Sequence, residues 1–456
     1  MADMVPDIEE EGLDARRVRF ILDAVQVGDQ PRLIKLMAPL HAADVADLLE
    51  QIDAGDRNAL LAMWADKIDG DILSEISDAI RQEVIAALPP EVVAEAVRDL
   101  DTDDVVDILE DLGKPAQAVI LSALTSDDRV AVEKALSYPE YSAGRLMQRE
   151  VVVCPEHWTV GEMIDHLRAA DWLPDQFYHV ILVDPRMKPV DYVTLGRLLS
   201  ARRQVRLKDI VEDSFRTVAA TEPEADVAYM FNQYHLISCA VVDEADRLVG
   251  VITIDDAMNV LDEEHQEDML RMAGVDDEAT LADTVWETTK GRATWLFVNL
   301  LTAILASMVI DLFAQTISQM VALAVLMPIV ASMGGNAGTQ GMTVAVRALA
   351  TRDLTAQNAG RVIRREIAVG AINGAVFGLI MAGVAAFWFG VPMLALVIGF
   401  AMMFTLMSAA LGGIIIPMAL ARLNVDPALA SGPFVTTVTD VVGFFVFLGL
   451  ASWVML

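Results

Sequence analysis

The chain has 456 residues, too many for one ordinary domain, and its charge is split between two unlike halves. Residues 1–292 hold 27 Lys/Arg against 61 Asp/Glu, while 293–456 hold six against five. So acidic a first half repels nucleic acid and anionic lipid and attracts cations, and a second half so poor in charge is no water-soluble core.

In chain order, the acidic start Met1-Ala-Asp-Met-Val-Pro-Asp7 lacks the basic-then-apolar order of a signal peptide. Residues 1–138 then show a twelve-residue apolar period: Leu40, Ile52, Trp64, Ile76, Leu88, Leu100, Leu112, Leu124 and Leu136. Turn or capping residues follow most of them, as in Leu88-Pro-Pro-Glu91 and Leu124-Thr-Ser-Asp127, and the spacing between them is helical. One short amphipathic helix cannot bury its stripe alone, so the spacing predicts a superhelical stack of short helices.

Over 139–258 the pattern changes to β–α alternation. Strands are expected at 151–153, 179–183, 238–242 and 249–253, with helices over 160–170 and 225–234. Cys154 and Cys239 are the two cysteines, too few and too distant for a disulfide framework, and fit a reducing compartment. Cys154-Pro-Glu-His157 has no second metal-binding pair, which speaks against zinc. The stretch Leu236 to Asp256 resembles a CBS motif, with Gly250-Val-Ile-Thr253-x-x-Asp256 in the expected pattern. The earlier copy reads Asp191-Tyr-Val-Thr194-Leu-Gly-Arg197, with Asp and Arg where Gly and Asp are expected. A tandem CBS pair is similar to modules that bind adenine nucleotides, and the degenerate copy leaves room for one ATP site at most.

Residues 259–291 read as a helical connector with Gly274 in the middle, bearing Asp262, Glu263, Glu264, Glu267 and Asp268. From 292 onward the uncharged stretches 293–310, 312–346 and 367–421, with 428–456, divide into five α-helical spans. The 35 residues of 312–346 exceed one crossing, so part must tilt or break. Arg347, Arg352, Arg361, Arg364 and Arg365 fall between spans two and three, Arg422 between spans four and five, and Lys290 and Arg292 before span one. These alternate connections lie on one side, so the positive-inside rule puts the N-terminal domains in the cytosol and the C-terminus outside a cell membrane.

Two features interrupt the apolar spans. Pro328 to Gln340 gathers Gly334, Gly335, Asn336, Gly338, Thr339 and Gln340. Such a run either weakens the helix and bares carbonyls to a wet cavity, or forms a small-residue packing face. The other is Asp440, a carboxylate within a span that has no basic residue to neutralise it. Thr436, Asp440 and Gly443 share one helix face. Oxygen donors with a single carboxylate suit Mg²⁺, which keeps most of its waters, and no Cys, His or Met cluster favours a softer metal. No nucleophile–base pair or phosphate loop appears, so an enzyme is not expected.

The whole chain resembles the MgtE family of magnesium channels. The resemblance is sharpest at Tyr138-Pro-Glu-Tyr-Ser-Ala-Gly-Arg-Leu-Met147, Met333-Gly-Gly-Asn-Ala-Gly-Thr-Gln340 and Asp426 to Asp440. It implies a homodimer with a pore on its twofold axis, lined by spans two and five. Asp440 would hold hydrated Mg²⁺ there, with oxygens around Thr436 and Gly443 and with Asn336 close by. It further implies closure by cytosolic Mg²⁺ at acidic interfaces, to which Asp103, Asp107, Asp256, Glu264, Glu267, Asp268 and Asp426 correspond. Asn259 and Asn232 stand where the family often has acids, which predicts weaker or less cooperative Mg²⁺ sensing. A divalent-cation exchanger coupled to Na⁺ or H⁺ is the competing reading, with Asp440 as a coupling site.

Overall fold

The computed structural model describes residues 13–455 apart from 111, 171, 175–176, 214, 276–278 and 280–283. The acidic start of the chain and much of the connector beyond Val275 therefore lie outside the described residues. Two compact units are present, Met1–Glu264 and His265–Leu456.

The first unit begins with α1 (Ala15–Val27), α2 (Gln30–Met37), α3 (Ala42–Gln51), α4 (Ala54–Trp64), α5 (Gly70–Glu75), α6 (Asp78–Ala87), α7 (Pro90–Ala96), α8 (Thr102–Glu110), α9 (Lys114–Ala123) and α10 (Ser126–Ala135). The twelve-residue period has a local cause. Ile52, Ile76, Leu88 and Leu124 each take the position just after a helix, in extended backbone that turns the chain. Ile52, Ile76 and Leu88 are then buried in the shared core. Acidic caps start the next helix: Asp53 accepts from the N–H groups of Gly55 and Asp56, both at 2.9 Å.

After α11 (Ala143–Leu146) come β1 (Val153–Pro155), α12 (Val160–Ala169), β2 (His179–Val183), β3 (Pro189–Thr194) and α13 (Leu195–Ser200). The second half has β4 (Thr217–Ala219), α14 (Glu224–Tyr234), β5 (Ser238–Val242), β6 (Leu248–Thr253) and α15 (Ile254–Met272). Each half builds a three-stranded sheet in which the first strand runs parallel, and the third antiparallel, to the middle one. The register shifts at equivalent places, Leu182/Val183 and Val241/Val242. Ile181, Val183, Ala240 and Val251 pack the two sheets on each other. Gly250 must lack a side chain: a Cβ there would lie 2.6 Å from the Gln148 carbonyl, which pairs with Val251. Gly144, in the Tyr138–Met147 stretch, would put a Cβ 2.5 Å from the Tyr138 ring. Both cysteines are buried, and burial pushes each thiol up to about 12.

The second unit holds the end of α15 followed by α16 (Val285–Asp311), α17 (Ala314–Gln319), α18 (Ala322–Ala350), α19 (Ala359–Phe389), α20 (Pro392–Arg422) and α21 (Pro427–Met455). Among the described residues, five helices are long and apolar enough to cross a membrane. Thr284 and Glu287 close a capping box at the start of the first of them. The long stretch 312–346 does break, at Met320–Val321 between α17 and α18. The Gly/Asn run, however, is not irregular: α18 continues through it. Its glycines are used for packing instead. A Cβ on Gly334 would lie 2.8 Å from Thr405 Cγ2, and one on Gly338 2.7 Å from Val435 Cγ1. α20 is the most enclosed of the five spans, flanked by α18, α19 and α21.

Candidate metal sites and ion path

The acids of the first unit gather around the start of α8. Thr102 opens that helix and gives both its N–H and its hydroxyl to Glu150, at 3.2 and 2.8 Å. Asp103 follows directly, and its carboxyl is raised well above the ordinary carboxylate range by burial, then by the charges of Asp256 and Asp104. Asp104 is pushed up to about 7 by burial and Asp256. Asp256 is itself raised to about 6 by burial, against a 2.6 Å hydrogen bond from the Thr253 hydroxyl. Glu224 reaches about 7 through burial and the charges of Glu263, Glu110 and Glu264. Asp107 has a different neighbour, since Arg81 Nη2 pairs with it at 2.9 Å. These carboxyls are raised first by burial and then by one another's charge, and their hard oxygens suit Mg²⁺. Among the described residues no three acids, histidines or cysteines converge on one metal position. A cation held partly through its own waters is the form this spacing accommodates.

In the second unit, Glu267 and Asp268 lie on the last turns of α15 and Asp426 at the head of α21. Arg271 pairs with Glu267 at 2.8 Å and with Asp426 at 3.1 Å. Asp268 is raised by burial and by Asp426.

Within the membrane helices, Asp440 is half-buried on α21, one turn beyond Thr436. The Thr436 hydroxyl donates to the Gly432 carbonyl at 3.1 Å, so its oxygen keeps lone pairs for another partner. Gly443 faces inward: a Cβ there would lie 3.3 Å from Thr405 Cγ2 and 3.4 Å from Val330 Cγ1. Asn336 is exposed, on a face of α18 that it shares with the exposed Thr339, Gln340 and Thr343 at helical spacing. Asn336, Thr339, Gln340 and Thr343 thus form a polar stripe on the outer face of α18.

Residues 327–450 match the family described as a divalent cation transporter, 40–141 the MgtE intracellular N domain, and 143–204 and 207–263 the CBS domain. The chain is 31% identical over 438 residues to the magnesium transporter MgtE of Thermus thermophilus, covering 94% of this chain and 96% of that one. The chain belongs to the MgtE family of magnesium transporters. The Bacillus subtilis MgtE is 26% identical over 96% of this chain and 94% of its own. A crystallised cytosolic domain of the Mg²⁺ channel MgtE, in complex with ATP, is 28% identical with a TM-score of 0.49, covering 53% of this chain and 99% of that one. The MgtE family consists of transporters and not enzymes, and this member is a multi-pass membrane protein.

Of the residues singled out in the sequence, the fold brings Asp103 to Asp256 and Asp268 to Asp426. Asn336 faces outward, and Gly443 lies in the packing between helices. Asp104, Glu224, Arg81 and Arg271 escaped the sequence reading. Glu224 is joined to Glu110 and Glu263 only by tertiary folding, so no local pattern marks it. Arg271 had a signal, as the single arginine in a run of acids.

Proposed function

We propose that two copies of this chain form a channel through which Mg²⁺ enters the cell down its electrochemical gradient, and that cytosolic Mg²⁺ closes it. The carrying observation is the polar stripe on the outer face of α18, a helix packed against the one that bears Asp440. Lipid offers such a stripe no hydrogen bonds. A second copy docked along it would cover it and leave a wet path between the two. Asp440 of each copy would hold Mg²⁺ through its waters, with oxygens of Thr436, Asn336 and the Gly443 region nearby. The arginines between spans support cytosolic N-terminal domains and an external C-terminus.

Closure is assigned to the acids. Within the first unit Asp103, Asp107, Asp256 and Glu264, and within the second Glu267, Asp268 and Asp426, gather negative charge that Arg81 and Arg271 offset only in part, a balance that Mg²⁺ would complete. Low Mg²⁺ then favours the open pore and high Mg²⁺ the closed one, because the ion binds the closed form better. ATP would enter the cleft lined by Gln148, Glu150, Tyr178, His179, Ser238 and Thr253. At about 30 Å³ the cleft must widen to take it.

The test is Mg²⁺ entry into liposomes driven by membrane voltage alone, for wild type and Asp440→Ala. Entry that disappears in the variant supports a conductive path through Asp440. Entry that needs an imposed Na⁺ or H⁺ gradient favours an exchanger, and unchanged entry in the variant removes Asp440 from the path.

A further inference from the structure

From 259 to 275 the sequence has five carboxylates and a single arginine, Arg271. That guanidinium sits between two carboxylates of separate origin. Nη2 pairs with Glu267, one turn back on α15, at 2.8 Å, and Nη1 pairs with Asp426 at the head of α21 at 3.1 Å. Asp426 is held in place, because its other oxygen accepts from the Ala428 N–H at 2.7 Å and so caps α21. Asp268 belongs to the same neighbourhood: burial and the Asp426 charge raise its carboxyl, while Arg271 and His265 lower it. Beside them Met272 packs against Met342, Val346, Ala428 and Val435. An ionic tie and an apolar seat thus hold the last turn of α15 to α18 and α21.

Glu267, Asp268 and Asp426 are also carboxylates to which closure by Mg²⁺ is assigned above, and a cation of the chain itself already stands among them. We propose that Arg271 is the built-in counter-cation of the connector: it docks α15 on α21 without metal, and Mg²⁺ competes with it for Glu267 and Asp426. The competition rests on the Mg²⁺ reading of these acids; the docking does not. A planar guanidinium bridges two carboxylates with fixed geometry, which one monodentate ammonium does less well. Without it, three carboxylates crowd a partly buried turn, and docking there depends on Mg²⁺.

The experiment is amide hydrogen exchange on the full-length protein in lipid nanodiscs, following peptides over 265–272 and 423–429 in EDTA and in saturating Mg²⁺. Wild type is expected to stay protected in EDTA. Arg271→Gln should exchange about tenfold faster there and regain protection with Mg²⁺. Arg271→Lys should fall between them. Asp426→Asn, which keeps the oxygen that caps α21, should match Arg271→Gln, and the double variant should add nothing further. Exchange in Arg271→Gln no faster than wild type in EDTA overturns the docking role. Faster exchange that Mg²⁺ fails to restore overturns the competition, and with it the Mg²⁺ reading of these acids, but leaves the docking. Wild type loose in EDTA and tight in Mg²⁺, with no effect of Arg271→Gln, overturns the proposal and keeps the Mg²⁺ reading.

Discussion

Arginine has a recurring structural task at the residue scale. Arg57 and Arg81 are both buried, and each donates to the carbonyl five residues back, that of Ile52 at 3.2 Å and that of Ile76 at 3.0 Å. Those carbonyls belong to the residues that end α3 and α5, so each arginine satisfies an oxygen the turn would otherwise leave unpaired. Each also reaches an acid 26 residues further on, Glu83 for Arg57 and Asp107 for Arg81. Arg81 therefore joins the interior of the helical stack to the edge of the acidic cluster. Replacing it with Met removes the charge and the hydrogen bonds but keeps most of the volume. Asp107 is largely exposed, so the loss is well below that of a fully buried pair, and about 2 kcal/mol is expected. In EDTA, Arg81→Met should melt several degrees below wild type. Mg²⁺ should raise its midpoint more than it raises wild type, because Asp107 then lacks its own counter-ion. An unchanged midpoint in EDTA would show that the buried guanidinium is structurally idle.

At the scale of elements, the membrane helices are held by close backbone contact. Gly370, Gly374 and Gly378 recur every fourth residue on the face of α19 that meets α20. A Cβ on Gly374 would lie 2.8 Å from Met403 Cα and 2.9 Å from its carbonyl oxygen, and backbone cannot swing aside as a side chain can. Gly374→Ala should thus part the helices and cost about 1–3 kcal/mol, read as a lower unfolding midpoint in detergent. Gly383→Ala, on the same helix with nothing within 4 Å, is the matched control and should be neutral or slightly stabilising. Equal effects of the two would refute packing as the cause. Four-residue glycine spacing was present in the sequence, but hydropathy alone gives length and says nothing of which face is narrow. The same gap explains the Gly334–Gln340 run. Its composition fits a weakened helix as well as a packing face, and only Thr405, Val435 and Thr439 from neighbouring helices distinguish the two. Local patterns were enough where the cause was local. The twelve-residue period marks turns because Ile52, Ile76, Leu88 and Leu124 each directly follow a helix, and Asp440 stands out as a carboxylate in an apolar span. Asp103 and Asp256 lie far apart in sequence, and that the charge of Asp256 acts on Asp103 and Asp104 becomes visible only once the chain folds.

For the whole molecule, the crowded carboxyls of the first unit tie its stability to pH. Asp104 and Glu224 titrate near about 7 and Asp256 near about 6, each raised first by burial. In the unfolded chain the same groups titrate near about 4. Between those values the folded unit holds protons that the unfolded chain has released. Stability from these groups is therefore full below about pH 4 and is lost as pH rises through about 6 to 7. Acid stabilises the metal-free fold over this window, the reverse of a protein held by ionised salt bridges. The full-length protein in EDTA should melt a few degrees higher at about pH 6 than at about pH 8. Saturating Mg²⁺ should flatten that dependence, because a cation among the carboxylates removes the repulsion that protons otherwise relieve. Mg²⁺ affinity, read by calorimetry, should weaken as pH falls below about 7, since each ion bound must displace protons. Replacing Asp104 and Glu224 together with Asn and Gln should raise the midpoint in EDTA at about pH 8 and shrink its response to pH. If midpoints in EDTA instead rise steadily from about pH 6 to about pH 8, these acids are ionised and paired in the folded chain, and their crowding gives Mg²⁺ no reason to bind among them.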